Sequence, residues 1–571
     1  MLRAFIFSIF CSALSAGTLT LEIEHRSGKE RLQLSSLRYQ NGSETFSVSR
    51  LAYLLSEFAL QKVDGSWVTL ANQFAYLDVS KHRTSLTLKE VPPGSYQAVR
   101  YSLGVPKKEN HADPASLVAK HPLNPNLNQL HWDWTGGYIF LAIEGRYRKA
   151  NQELSGFVYH LANDQNLSRT SLPARFTIKS HTVIGLVFDL ESLLTRPRAI
   201  SFQKDGHSTH SHPGDPIASA LVANLQSTIS LRGVFYPDGT PTTEQVKPKY
   251  LPKTFTPFPF KMSKRFPRPH LPMDNPLLAE RVELGKKLFF DPILSGDRNV
   301  SCASCHLPEK AFSDPRAISR GVAGAKGNRN SMPLFNLAWK SSFFWDGRAG
   351  TLREQVLLPI EDHREMAAGM PEILTRLQNS ESYRLAFSRA FAPAAITAEK
   401  LSLALENYLL TLTSYDSKFD RAMSGKAALT ASEKRGMELF FTEYEPRSGR
   451  MGADCFHCHG GANFSDHQFH NNGLKPSHDL GRAVITGKQS DRLLFSTPSL
   501  RNLTLTAPYM HDGRFKTLAE VIAHYNGPMH RSITLDPNLA KHPKTGIQLS
   551  VEDQKALVDF LKSLSEIEGK N

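Results

Sequence analysis

The sequence is poor in cysteine, with five in 571 residues, which excludes a disulfide-built secreted scaffold. After its first residues it has no apolar run of membrane-spanning length, so a polytopic membrane protein is excluded and no membrane span is expected. It also lacks low-complexity segments and short-period repeats, which removes fibrous and wholly disordered readings. What remains is an ordinary globular composition, 40% hydrophobic and 21% charged, at a length that suggests two or three domains. The formal charge of +14 is spread along the chain with no recognition motif beside it, so no nucleic-acid partner is expected.

The chain starts with a processing signal. Met1-Leu2-Arg3 is a short basic start, Ala4 to Leu14 an apolar run, and Ser15-Ala16-Gly17 offers small residues for cleavage. A signal peptide over 1–16 implies export, here to the periplasm. Cys11 leaves with it. The other four cysteines form two clusters, Cys302-Ala303-Ser304-Cys305-His306 and Cys455-Phe456-His457-Cys458-His459. Both read C-x-x-C-H, the attachment site of a c-type haem. Two thiols three positions apart on one helical turn can add to the two vinyl groups of one porphyrin, and the adjoining imidazole can ligate the iron. A zinc site would need two distant pairs to converge. A dithiol or a disulfide would leave both histidines unexplained. Two covalently bound haems are therefore expected, on Cys302, Cys305, Cys455 and Cys458, with His306 and His459 as iron ligands.

Between these landmarks the periodicity changes. Over 17–235, short alternating runs such as Leu19-Thr20-Leu21-Glu22-Ile23 are separated by turn signals such as Asn41-Gly42 and Asp64-Gly65, which predicts an all-β sandwich. Residues 236–272 read as a Pro-rich basic linker. Between Lys247 and His270 there are six prolines, seven Lys or Arg and no acidic residue, which favours a solvated tether. Helical spacing begins at Leu277–Phe290 and ends with Leu557, Phe560, Leu561 and Leu564 behind a Ser550-x-x-Asp553 start. Residues 273–425 and 426–571 thus read as two tandem cytochrome c-like domains. The fold class is multidomain: an N-terminal all-β sandwich followed by a mainly α di-haem module.

From 273 to 566 the chain resembles the bacterial di-haem cytochrome c peroxidase family. The strings that carry this include Arg329-Asn330-Ser331-Met332-Pro333, Phe344-Trp345-Asp346-Gly347-Arg348-Ala349, Leu352-Arg353-Glu354-Gln355, Thr497-Pro498-Ser499-Leu500-Arg501-Asn502 and Ala507-Pro508-Tyr509-Met510-His511-Asp512-Gly513. The resemblance implies that His306 serves the haem that meets hydrogen peroxide, with Gln355, Pro359 and Glu365 on the distal side and Glu365 as acid/base. It implies that Trp345 lies between the haems as an electron relay, and that calcium sits near Asn330, Ser496 and Pro498. In Leu518–Gly527 the pattern resembles relatives that oxidise protein side chains, such as MauG, with Tyr525 as second ligand of the second haem; His524 and Met529 are rivals. MauG carries a surface Trp two residues before the second haem motif, where this chain has Ala453.

Residues 19–233 resemble the copper-binding MbnP family through Leu123-Asn124-Pro125, His131-Trp132-Asp133-Trp134-Thr135-Gly136-Gly137 and Tyr159-His160-Leu161. Members of that family are encoded beside a di-haem partner that converts one of their tryptophans to kynurenine. The resemblance implies that the fused N-terminal domain is the substrate, with Trp132 or Trp134 modified, and that copper is held by His25 and His160. The cluster His207-Ser208-Thr209-His210-Ser211-His212 offers further imidazoles. Two other readings stay open. One is a conventional peroxidase drawing electrons from a small periplasmic cytochrome or cupredoxin. The other is a non-catalytic metal protein whose haems only carry electrons.

Overall fold

The structure is a computed structural model that describes residues 16–132, 136–149, 152–178, 181–236, 248–392, 395–446 and 449–566. All but the last residue of the expected signal peptide, the first part of the expected linker, and Trp134 lie outside the described residues. Contacts divide the chain into two compact units. The first comprises Met1–Ala112, Gly136–Glu153 and Phe157–Thr243; the second comprises Asp113–Thr135, Leu154–Gly156 and Glu244–Asn571.

The first unit is built from two sheets. In the strand Gly17–Ser27 the alternation read in the sequence is realised, with Leu19, Leu21 and Ile23 buried and Thr20, Glu22 and Glu24 more exposed. This strand pairs in parallel with His181–Asp189, Leu21 opposite Ile184, and antiparallel with Ser85–Val91. The larger sheet is organised on Glu44–Lys62, a strand of 19 residues. It pairs with Gly94–Leu103 and with Ile139–Lys149. A register shift between Ser56 and Ala59, with Glu57 at φ 51°, bends it as a β-bulge does. The sheets pack face to face: Tyr53 of the larger stacks on Phe188 of the smaller with ring centroids 5.1 Å apart. The result is the predicted sandwich.

The second unit is helical and repeats one packing device. The helix Ala279–Phe290 buries Leu284, Leu288 and Phe289 and crosses Ala398–Leu410 at Gly285. A Cβ on Gly285 would stand 2.0 Å from the Ala404 carbonyl, so only glycine permits that approach. In the second half, Ala431–Phe441 crosses Val551–Ser563 at Gly436, where a Cβ would stand 2.0 Å from the Ala556 carbonyl. The Ser550 hydroxyl caps that last helix by accepting from Asp553 N at 3.1 Å. Two helix pairs, each locked at a glycine, give two separate apolar cores.

The described part of the expected linker, residues 248–272, is not a tether. Phe266 is buried and sits edge-on to Trp339, ring centroids 5.4 Å apart. Trp339 Nε1 donates to the Pro267 carbonyl at 2.7 Å. Phe258, Phe260, Met262 and Leu271 pack on the same core. The prolines impose extension, but aromatic residues between them have apolar surface to bury, and that decides where the chain lies.

Candidate functional site

Each C-x-x-C-H stretch is a single tight 3₁₀ turn. In the first, Ser301 and Ser304 cap the turn, with Ser301 N donating to Ser304 Oγ at 3.0 Å, and His306 N reaches Cys302 O at 3.0 Å. In the second, His459 N reaches Cys455 O at 3.0 Å. The imidazoles are fixed alike. His306 Nδ1 donates to the Phe312 carbonyl at 2.9 Å, and His459 Nδ1 to the Phe464 carbonyl at 3.0 Å. Both phenylalanines have left-handed backbone, φ 57° and 50°. A carbonyl can only accept, so each Nδ1 carries the proton and each Nε2 is left with its lone pair, the tautomer an axial ligand needs. Desolvation pulls both imidazoles below their ordinary pKa, which keeps them neutral.

The four thiols are unpaired. Burial pushes Cys302 and Cys458 up to about 12 and raises Cys305 and Cys455 as well. The thiols, both imidazoles, Glu365 and Tyr525 are desolvated, yet each keeps intermediate exposure. The donor set fits a porphyrin in each module.

The stretch 352–366 carries the expected peroxide-side residues. Gln355 closes the short helix Leu352–Gln355, which is started by a Thr351/Glu354 capping box. Pro359 lies in Leu358–Glu361, and its carbonyl accepts from Met366 N at 3.1 Å, folding the chain back on itself. Glu365 is pinned at both backbone groups. Its N donates to Asp362 O at 2.9 Å, and its carbonyl accepts from Val322 N at 2.8 Å. Gly321 permits that contact, since a Cβ there would stand 2.2 Å from the Glu365 carbonyl. Burial raises the Glu365 pKa, Asp362 adds to the rise, and Arg348 and Arg364 oppose it. Its charge adds to the rise at both Cys302 and Cys305, so the carboxyl lies within electrostatic reach of the first motif.

Trp345 is buried and joins the two halves of the module. Its Nε1 donates to the Asn330 carbonyl at 2.9 Å, while its own carbonyl accepts from Ser496 N at 2.8 Å. Asn330 is followed by Ser331, whose hydroxyl lies 3.2 Å from His306 Nδ1. Ion pairs fasten the same seam: Arg329 holds Asp346 at 2.6 Å and Asp479 at 2.6 Å. Of the expected calcium residues, Asn330 and Ser496 meet at Trp345. Asn330 Nδ2 donates to the carbonyls of Arg316 and Ala317 at 3.2 Å each, which turns its Oδ1 the other way.

Tyr525 lies on the helix Leu518–Asn526. Burial raises its phenol, the Asn472 amide opposes that, and the charges of Cys458 and Cys455 add to the rise, so the hydroxyl lies within electrostatic reach of the second thiol pair. His524 is engaged elsewhere, its Nε2 bonded to the Asn472 carbonyl at 3.0 Å. Ala453 is buried in the second core.

Sequence reasoning missed Asn472, which nothing in its local pattern marks, and a buried charge cluster beside the second motif. In that cluster His457 lies 3.0 Å from Glu443 and 2.8 Å from Asp454. Lys541 pairs with both carboxylates, and His542 reaches Asp454 at 2.9 Å. An extra histidine inside the haem motif was the available signal.

In the first unit the expected copper ligands part company. His25 is buried in the sandwich core, its Nε2 2.9 Å from the Tyr53 hydroxyl and its ring against Phe188. Burial pushes its pKa down to about 4. Among the described residues it belongs to no cluster of three metal-binding side chains. His160 instead lies beside Glu144, Nε2 to Oε1 3.0 Å, with the His210 ring 4.9 Å away. The His207–His212 stretch is not a plain loop, because Ser208–Thr209 adds a short parallel strand beside Ser155–Ala162.

These features define a di-haem enzyme module joined to a sheet domain, and the comparisons agree. The profile of the family described as di-haem cytochrome c peroxidase matches residues 279–428, and that of MbnP matches residues 16–211. The methylamine utilization protein MauG of Methylophilus methylotrophus is 36% identical over 307 residues, 53% of this chain and 88% of that protein. The cytochrome c551 peroxidase of Pseudomonas aeruginosa is 35% identical over 302 residues, 51% of this chain and 80% of that protein. A crystal structure of a MauG-like protein associated with microbial copper homeostasis is 33% identical, covering 54% of this chain and 96% of that one, with a TM-score of 0.48. The chain belongs to the di-haem cytochrome c peroxidase family. It is an oxidoreductase of the MauG and cytochrome c peroxidase type, fused to an MbnP domain.

Proposed function

We propose that this chain is an exported peroxidase that uses hydrogen peroxide to oxidise a tryptophan of its own N-terminal region, Trp132 or Trp134. When bound, the two c-type haems supply O–O bond cleavage and storage of the oxidising equivalents. The remaining work falls to the chain's own side chains. Glu365 takes a proton from one peroxide oxygen and returns it to the other, a task suited to a carboxyl whose pKa is raised towards neutrality. Gln355 and Pro359 shape the wall beside it. His306 and His459 present neutral Nε2 atoms. Trp345 carries charge between the halves of the module, and Tyr525 serves as the second haem's other protein ligand.

The observation that carries this reading is the membership of the second unit. Asp113–Thr135, the stretch with Trp132, belongs to the same compact unit as the haem module. Gln129, three residues before Trp132, accepts from Gln468 Nε2 at 2.6 Å, and Gln468 follows the loop in which Asp466 N bonds to Cys458 O at 2.8 Å. Asn124 Nδ2 donates to the Arg268 carbonyl at 3.3 Å. Those bonds tie the Trp132 stretch to the haem module, and a fused substrate of this kind would make the encounter intramolecular.

The chemistry balances with peroxide alone. Two H2O2 oxidise one indole to N-formylkynurenine and two waters, with the C2–C3 bond broken and one oxygen added at each carbon. Water then releases formic acid and leaves kynurenine. Calcium held at Asn330 and the carbonyls of Ser496 and Pro498, and copper held at His160 and His210, complete the proposal. Among the described residues no helix is long and apolar enough to cross a membrane; export is tested by a mature N-terminus at Gly17. The haem-loaded chain given peroxide without a reductant should consume two equivalents, release one formate and stop. Sustained turnover with a reduced cytochrome c or cupredoxin and no formate would identify a conventional scavenger.

A further inference from the structure

The short segment Asn471–Gly473 touches Tyr525, its rivals His524 and Met529, and the neighbouring thioether of Met510. Asn472 Nδ2 donates to the Tyr525 hydroxyl at 3.4 Å and reaches Met510 Sδ at 3.4 Å. The Asn472 carbonyl holds His524 Nε2 at 3.0 Å, turning that imidazole to a backbone partner. Met529 packs on Gly473, where an added Cβ would stand 2.8 Å from Met529 Cβ.

The segment is itself immobilised. Asn471 Nδ2 donates to the hydroxyls of Ser532 and Thr534 at 2.9 Å each, and its Oδ1 accepts from Gly473 N at 3.0 Å. Gly473 has φ 71°, a conformation glycine adopts without penalty. His530 N donates to Gly473 O at 2.8 Å and Asp536 N to Asn471 O at 3.0 Å. Five hydrogen bonds therefore fix a backbone whose central side chain is the only one of the three aimed at Tyr525 and Met510.

We propose that Asn472 is a positioning residue that selects Tyr525 as the distal ligand of the second haem. This rests on the reading of Tyr525 as that ligand. An amide N–H makes a good hydrogen bond to a tyrosine oxygen. A thioether gains far less from the same donor. One amide thus favours the oxygen ligand over the neighbouring sulfur, while the adjoining carbonyl withholds the imidazole of His524.

The test compares native, Asn472→Asp, Asn472→Ala and Tyr525→Phe proteins, full length and haem-loaded, by ferric electron paramagnetic resonance, near-infrared charge-transfer bands and the midpoint potential of the second haem. Asn472→Asp keeps the shape and the backbone carbonyl while replacing the donor by an acceptor. The signals of the first haem report whether each variant folds. With the donor removed, the ratio of tyrosinate-ligated to other forms should fall about tenfold, with sulfur- or imidazole-ligated signals taking its place. Native second-haem spectra and potential in both Asn472 variants, alongside a changed Tyr525→Phe, would overturn the positioning role and leave the ligand reading standing. An unchanged Tyr525→Phe would remove the ligand reading, and this proposal with it.

Discussion

Replacing Glu365 by glutamine removes one proton-binding site and almost no volume. The carboxyl is held in a desolvated position by backbone hydrogen bonds from Glu365 N to Asp362 O and from Val322 N to Glu365 O, which the glutamine can keep. A positioned acid/base contributes about 10²- to 10⁴-fold in rate, or roughly 3–5 kcal/mol at about 1.4 kcal/mol per tenfold. Glu365→Gln should therefore lower peroxide consumption by the haem-loaded protein by that factor. The pH profile gives an independent check. The carboxylate must first accept a proton, so the native rate should rise with pH through the raised pKa, on a limb displaced above the ordinary carboxylate range, and the glutamine variant should lack that limb. Stability should move the other way. A carboxyl whose folded pKa exceeds its unfolded value contributes stability that is present at low pH and lost as pH rises through the folded pKa. At neutral pH the glutamine variant should be as stable as native or more so. Stopped-flow peroxide consumption across pH, with thermal melts of both proteins, reads both effects. A variant with native rates and a native acid limb would refute the reasoning.

Trp345→Phe loses the Nε1 bond to the Asn330 carbonyl, which should cost about 1 kcal/mol in denaturant unfolding. Its peroxide turnover should fall further than that loss explains, and native turnover would remove Trp345 from the relay. Phe266→Ala should lower the stability of the second unit by about 3–5 kcal/mol, whereas a change within about 0.5 kcal/mol would return the 248–272 stretch to the status of a tether. His25, held at about 4 against an ordinary 6.5, binds fewer protons folded than unfolded across that interval. The first unit should therefore gain about 3 kcal/mol of stability as pH rises from 4 to 6.5. Chemical unfolding of native protein and His25→Gln at both pH values checks this, since the variant should lack most of the gain.

The sequence made the two haem motifs legible because covalent attachment demands fixed residues at fixed spacing, as in Cys302, Cys305 and His306. The sandwich was legible because Leu19, Leu21 and Ile23 alternate with polar neighbours. The 248–272 stretch misled for an identifiable reason: proline and lysine dominate its composition, but Phe266 and Phe258 decide its position through burial, which composition does not weigh. The surroundings of His25 were not legible either. A histidine at a suggestive position turned out to be bonded to Tyr53 within an aromatic core, and the register that brings Tyr53 there is set by a bulged 19-residue strand paired far along the chain. Asn472 was invisible because its relation to Tyr525 spans 53 positions, and nothing short of the folded loop reveals it. The glycines at 285 and 436 looked unremarkable in helices until the crossing carbonyls of Ala404 and Ala556 explained them.

The central claim is that this enzyme's own N-terminal region is its substrate. It is tested most directly by peptide mass spectrometry on the stretch bearing Trp132 and Trp134, from haem-loaded protein before and after hydrogen peroxide and from a Cys455→Ser/Cys458→Ser variant treated alike. The account predicts a kynurenine in place of one tryptophan in the haem-loaded protein only. Intact indoles at both positions after peroxide has been consumed would contradict it.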